Sequence, residues 1–330
     1  MSRPRVWMSR LLCALVLGGL IGMVQAATPT LSGDELANNG NFSAAAKAFA
    51  VAAGKAPQDA SIAASLARAY LRSGDNEQAV EWAQKATALA PAKARYQLLL
   101  GDAYSNYVND VSMFSKLGIA HKIRDAYKQA VALEPKLPAA RLSLAMFYLV
   151  APGIAGGSDE DGAAQLRALA ALDPAQAAIV RARQAAADKN MKQAESLLRQ
   201  ALDGARDSNA LVALGYLLDN QKHYAEALAV FQQAIKAYPA EPTAYYQIGR
   251  MAAAGEIDAQ LGVAALGQYL GLTIDWRDND PPLAWAHLRL AQCWARLEQP
   301  AKARAELAQA RQLKPGFKEA DAALAKLPAA

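Results

Sequence analysis

Pro57 and Pro91 stand 34 residues apart, and each closes a segment of one form: "NFSAAAKAFAVAAGKAP" at 41–57 and "DNEQAVEWAQKATALAP" at 75–91. A recurrence at this period constrains the fold more than composition can. Each unit is a supersecondary piece that buries its apolar face only against the next copy, so the chain has to stack. The alanines at matching offsets mark where two helices approach closely. The proline ends the second helix of each pair, because its ring and missing N–H disfavour continuation. The unit is therefore a helix–turn–helix, and the fold class is all-α.

Further copies follow. Residues 208–239 carry Leu214-Gly215, Leu218, Tyr224, Ala227, Phe231, Ala234 and Pro239, the signature positions of the tetratricopeptide repeat family. Residues 60–91, 94–135, 138–174, 242–272 and 284–315 repeat the pattern with varying fidelity, and 175–206 is degenerate, without a closing proline. The resemblance covers nearly all of residues 27–330. It implies a right-handed superhelical solenoid of about eight repeats, with "FKEADAALAKL" (317–327) as a C-terminal capping helix. The expected organisation is an N-terminal array at 27–174, a degenerate repeat or joint at 175–206, and a C-terminal array with its cap at 207–330. Insertions fall near 107–123 and 152–157. The first would extend a second helix and present Met113, Phe114, Leu117 and Ile119 as an apolar edge, packed on its neighbour or facing a partner.

The first 26 residues read differently. Arg3, Arg5 and Arg10 precede an apolar run from Leu11 to Val24, and Val24-Gln25-Ala26 offers a small-residue cleavage site before Ala27. This is the pattern of a secretory signal peptide, so the chain resembles an exported bacterial tetratricopeptide protein, with the periplasm as the expected location. The run is short for a bilayer span, and no membrane span is expected after cleavage. No acid lies in this segment, so its three arginines account for three of the five net positive charges. The remainder carries no concentrated basic balance of the kind that nucleic-acid binding needs, and no nucleic-acid partner is expected. Beyond the signal, Cys293 is the single cysteine, which excludes an internal disulfide.

Chemistry-bearing motifs are scarce. "APGIAGGS" (151–158) looks like a phosphate loop, but it lacks the Gly-Lys-Ser/Thr ending and runs into Asp159, Glu160 and Asp161, which repel an anion. It reads as a lengthened interhelix turn with Ser158 as N-cap. His121, His223 and His287 lie on separate repeats, without paired metal-ligand spacing. "DWRDNDPP" (275–282) clusters three aspartates but departs from the calcium-loop spacing and lacks its closing Glu, so capping and helix breaking explain it more simply. No catalytic residue, metal or cofactor is expected.

Family members bind extended peptides or helices in the concave groove lined by their first helices. The positions that match the family's groove-facing sites are Asn209, Tyr216 and Asn220, then Tyr246 and Arg250, then Trp285, Gln292 and Arg296. In the N-terminal half they are Arg68, Arg72 and Arg95, with Asp102 and Asn106. Tyr, Trp and Arg suit interface anchors, and three arginines in one groove suit an acidic segment or a carboxylate, though the Lys-and-Asn carboxylate clamp of chaperone-binding members is absent. Tyr246 and Trp285 could equally fill inter-repeat packing. The resemblance thus implies a non-catalytic protein–protein interaction scaffold in the bacterial envelope. The alternative is a periplasmic binding protein for a small molecule or glycan, which requires a closed, aromatic-lined cavity.

Overall fold

The computed structural model describes residues 31–204 and 207–328; the signal segment at 1–26 lies outside the described residues. Eight helical hairpins and a last helix follow one another. They are α1 (Gly33–Asn38) with α2 (Phe42–Lys55), α3 (Ala60–Ser73) with α4 (Asn76–Leu89), and α5 (Ala94–Tyr107) with α6 (Met113–Leu133). Next come α7 (Pro138–Val150) with α8 (Asp159–Leu172), α9 (Pro174–Ala187) with α10 (Met191–Gly204), and α11 (Ser208–Asn220) with α12 (Tyr224–Ala237). The array ends with α13 (Pro242–Ala254) and α14 (Ala259–Leu270), α15 (Leu283–Arg296) and α16 (Pro300–Leu313), and α17 (Lys318–Ala325). The protein is an all-α solenoid.

The helix ends follow local sequence. Ala56, Ala90, Glu134, Tyr238 and Lys314 each precede a proline, and each adopts nearly the same non-helical conformation, with φ between −130° and −140° and ψ between 69° and 88°. Clash with the proline ring excludes the helical region there, so the same dipeptide resets the chain direction in these five units. The aspartates at 59, 75 and 207 then cap the helix starts through backbone N–H groups left free in the first turn.

Within hairpins a glycine on the first helix lies under a large side chain of the second. Gly215 faces the Phe231 ring, Gly101 faces Tyr127 and Gly249 faces Leu266. The two helices approach so closely that a Cβ would overlap the partner side chain. Between hairpins the packing is continuous: one cluster runs from Ile179 through Leu211, Phe231, Met251 and Leu266 to Cys293. Phe317, ahead of α17, closes the far end against Leu288 and Leu307.

The lengthened α6 places Ile119 and Ile123 in the core, while Met113 and Phe114 stand in solvent, Phe114 at 98% exposure. The apolar edge expected on the insertion is thus split: Ile119 packs inward, and the start of the helix does not. "APGIAGGS" is the turn between α7 and α8. Gly156 sits at φ +92°, and the Ser158 hydroxyl accepts from Asp161 N–H at 3.1 Å.

The segment "DWRDNDPP", between α14 and α15, does more than start a helix. Trp276 is 2% exposed and buried in the first hairpin, its ring 6.5 Å from Phe42 and 6.0 Å from Phe49. Its indole N–H donates to Asp34 at 3.0 Å, and its backbone N–H donates to the Asn38 side chain at 2.8 Å. Arg277 pairs with Asp34 at 2.5 Å, and Arg72 donates to the Trp276 carbonyl at 3.3 Å and to Asn279 at 3.1 Å. After seven hairpins the solenoid has come round to meet its own first hairpin, and this loop joins the two. No short-range signal announces such a contact; the hint was a tryptophan in an otherwise polar connector.

Candidate functional site

Three pockets lie along the first helices of the hairpins, with α6 completing the wall of the second and α10 that of the third. One of about 310 Å³ lies at the seam, between α3, α5, the start of α7 and the 276–279 loop. The second, about 560 Å³, is apolar and bounded by Ile123, Leu142, Met146 and Phe147. The third, about 240 Å³, lies between α9 and α11 over Ile179, Ala182 and Leu217, with Tyr216 and Asn220 at its edge. Arg183 borders both the second and the third, so those two adjoin there.

The seam pocket gathers Arg68, Arg72, Arg95 and Arg277 around Asp102. Spacing of four on α3 puts Arg68 and Arg72 on one face, and stacking of the next hairpin brings Arg95 and Asp102 alongside. Arg277 arrives only because Trp276 docks. Burial pulls the Arg68 guanidinium below its usual range; Asp102 draws it back up, and the positive Arg277 and Arg95 push it down again. Burial in turn raises the Asp102 carboxyl, opposed by the hydroxyl of Tyr127, which donates to it at 2.9 Å, and by Arg68. Asn106, by contrast, folds back to donate to the Asp102 carbonyl.

The C-terminal positions separate into two kinds. Tyr216 is 37% exposed, its ring edge-on to Phe231, and Asn209 and Asn220 are exposed as well. Tyr246 is 8% exposed, packed against Tyr269 at 5.6 Å, and Trp285 stands edge-on to Phe317 at 4.8 Å. Neither lines the three pockets, so their aromatic area is spent largely on packing, within its own hairpin for Tyr246 and against the start of the cap for Trp285. Arg250 pairs with the nearly buried Asp219 at 2.5 Å and donates to Gln247 at 2.8 Å. Beside them, burial and then the Asp219 charge raise the Glu256 carboxyl, while Arg250 opposes that rise. Gln292 accepts from Arg289 at 3.0 Å, and Arg296 lies over the left-handed turn at Gly255.

Arg250 therefore ties α13 to α11. Arg250→Met, which keeps most of the aliphatic stem, is expected to cost about 1.5–3 kcal/mol, the range for a hydrogen bond to a charged group. It strands the Asp219 carboxylate in its buried place. Urea unfolding of the variant checks this, and an unchanged midpoint would show that the pair contributes nothing.

Groups with catalytic potential are held otherwise. Cys293 is fully buried with its thiol near the Gly249 carbonyl, and burial pushes it up to about 12, which keeps it a protonated thiol. His287 is hydrogen-bonded to Glu306 at 2.7 Å on the neighbouring helix, and His223 sits exposed at the start of α12. Among the described residues no helix is long and apolar enough to cross a membrane.

Residues 30–94 and residues 208–251 each match the family description "tetratricopeptide repeat". No curated protein matches the chain. Among solved structures it is similar to a chain of the APC/C hetero-tetramer Cut9–Hcn1, with 17% identity and a TM-score of 0.44, over 89% of this chain and 54% of that one. The present chain thus spans about half of that chain's length. It is also similar to pilF of Pseudomonas aeruginosa, with 16% identity and a TM-score of 0.41, covering 68% of this chain and 97% of that one. A third likeness is to YrrB, described as a TPR protein with an unusual peptide-binding site, at 17% identity and a TM-score of 0.35, over 73% and 96% of the two chains.

Proposed function

Because the chain is built of tetratricopeptide repeats, whose fold generally serves protein–protein interaction, we propose that it acts as a non-catalytic scaffold of the bacterial envelope. It holds an extended or helical segment of a partner protein in its inner groove. One observation carries this reading: an apolar trough follows the first helices α7, α9 and α11 from Met146 and Phe147 past Arg183 to Tyr216 and Asn220, with α6 and α10 completing its walls. An apolar trough with a cation and an aromatic at its edge offers buried area for anchor side chains and polar groups to orient them. Export to the envelope rests on the signal-like segment at 1–26.

A photo-reactive amino acid in place of Tyr216 tests the groove directly. On illumination in an envelope extract it is expected to cross-link one partner, whose yield falls at least about tenfold, the equivalent of 1.4 kcal/mol, when Arg183→Glu and Met146→Asp are added. Equal labelling with and without those changes would remove the groove from the account. Arg250 is unsuitable for such a test, since its loss disturbs the fold. N-terminal sequencing of the protein recovered from the periplasm is expected to begin at Ala27; a chain retaining Met1 in the cytoplasm refutes export.

A further inference from the structure

The seam pocket carries more positive charge than the fold uses. Among the described residues, Arg68 and Arg95 make neither an ion pair nor a side-chain hydrogen bond, and Arg72 meets only neutral groups: the Trp276 carbonyl, the Asn279 amide oxygen and the Phe42 ring at 4.5 Å. Arg277 differs, since Asp34 and Asp275 hold it. Against three unpaired guanidinium groups the pocket wall offers one acid, Asp102, already engaged by Tyr127. Arg68 and Arg72 are half-buried and lose hydration, and the exposed Arg95 adds its like charge beside them, so this arrangement costs stability until an anion arrives.

We propose that this pocket binds a small phosphate monoester, clasped between Arg68, Arg72 and Arg95 on one side of the seam and Arg277 on the other. A volume of about 310 Å³ is the lower end of the range for small-molecule sites. Guanidinium groups approaching from separate elements match the three oxygens of a phosphate better than the two of a carboxylate, and a dianion offsets the excess charge. The walls of Leu71, Leu98, Leu99 and Leu137 suit the organic part of an ester rather than bare phosphate. Because the two sides of the site come from the third and fifth helices and from a loop some 200 residues later, the ligand also fastens the closed coil. This site is separate from the apolar trough proposed to hold a protein partner.

Isothermal titration of the purified protein with glycerol 3-phosphate, inorganic phosphate and succinate, at matched ionic strength, tests it. Glycerol 3-phosphate is expected to bind saturably, at least about tenfold tighter than succinate and more tightly than inorganic phosphate. Arg68→Gln with Arg95→Gln, both on the pocket wall and outside the core, is expected to weaken it by more than about tenfold with the circular dichroism unchanged. Trp276→Ala leaves Arg68, Arg72 and Arg95 in place but releases the loop, and is expected to abolish the binding too. Absence of saturable binding, or binding indifferent to the double arginine variant, overturns the site. Binding indifferent to Trp276→Ala overturns its place at the seam, and equal affinity for inorganic phosphate or succinate overturns the monoester assignment. Cross-linking at Tyr216 reads the trough independently of all these outcomes.

Discussion

Trp276→Ala is expected to open the coil. The indole is the largest group that joins non-adjacent repeats, and truncating a buried aromatic to alanine costs about 3–5 kcal/mol. In an open solenoid, stability is a sum of repeat terms and neighbour terms, and an end repeat frays with little effect on the rest. Here the first hairpin, whose α1 is only 6 residues long, leans on a loop that follows α14. The loss should therefore appear in two distant places at once. Amide exchange is expected to accelerate across 33–55 by roughly a hundredfold to several thousandfold, since each 1.4 kcal/mol is a factor of ten. The loop 272–282 loses protection with it, and small-angle scattering registers a larger radius of gyration. Trp276→Phe keeps an apolar ring between Phe42 and Phe49, loses the donor to Asp34, and should retain most of the closure. If exchange in 33–55 is unchanged by Trp276→Ala, the loop merely rests on the first hairpin.

This closure also marks where sequence reasoning stopped. The period, the closing prolines and the helix caps are local facts, set by steric clash at X-Pro and by unpaired N–H groups in a first turn, so helix order was legible residue by residue. Whether a groove position faces the groove was not. It depends on the small rotation between successive hairpins, which no single repeat encodes. That is why Tyr216 and Arg250, each directly after the glycine of its repeat, end differently: one stands 37% exposed beside the trough, and the other is drawn onto the nearly buried Asp219. The arginines at 68, 72 and 95 were legible as one face, because they lie on adjacent hairpins. The fourth arginine was not, because Arg277 comes to them through the accumulated turn of seven hairpins.

The Gly215–Phe231 pair shows which part of the repeat signature is physical necessity. The Phe231 ring is fully buried, and a Cβ built on Gly215 would stand 2.5 Å from it, with no room for the ring to retreat. Gly215→Ala is therefore expected to destabilise by about 1–3 kcal/mol, the cost of overpacking a filled core. Phe231→Ala, which empties the same place, should cost about 3–5 kcal/mol. The informative measurement is their combination. Once the ring is gone, the added methyl has space, and alanine in a helix interior is preferred to glycine by about 0.5–1 kcal/mol. Gly215→Ala should then change sign, stabilising in the Phe231→Ala background while destabilising in the parent. Gly267, exposed on α14 with nothing near its Cα to meet a methyl, is the control: Gly267→Ala should gain about 0.5–1 kcal/mol in either background. Urea midpoints for the four proteins of the cycle decide it. A cost for Gly215→Ala that is the same with and without Phe231 would mean that the glycine is required by the backbone alone, and that helix approach is set elsewhere in the hairpin.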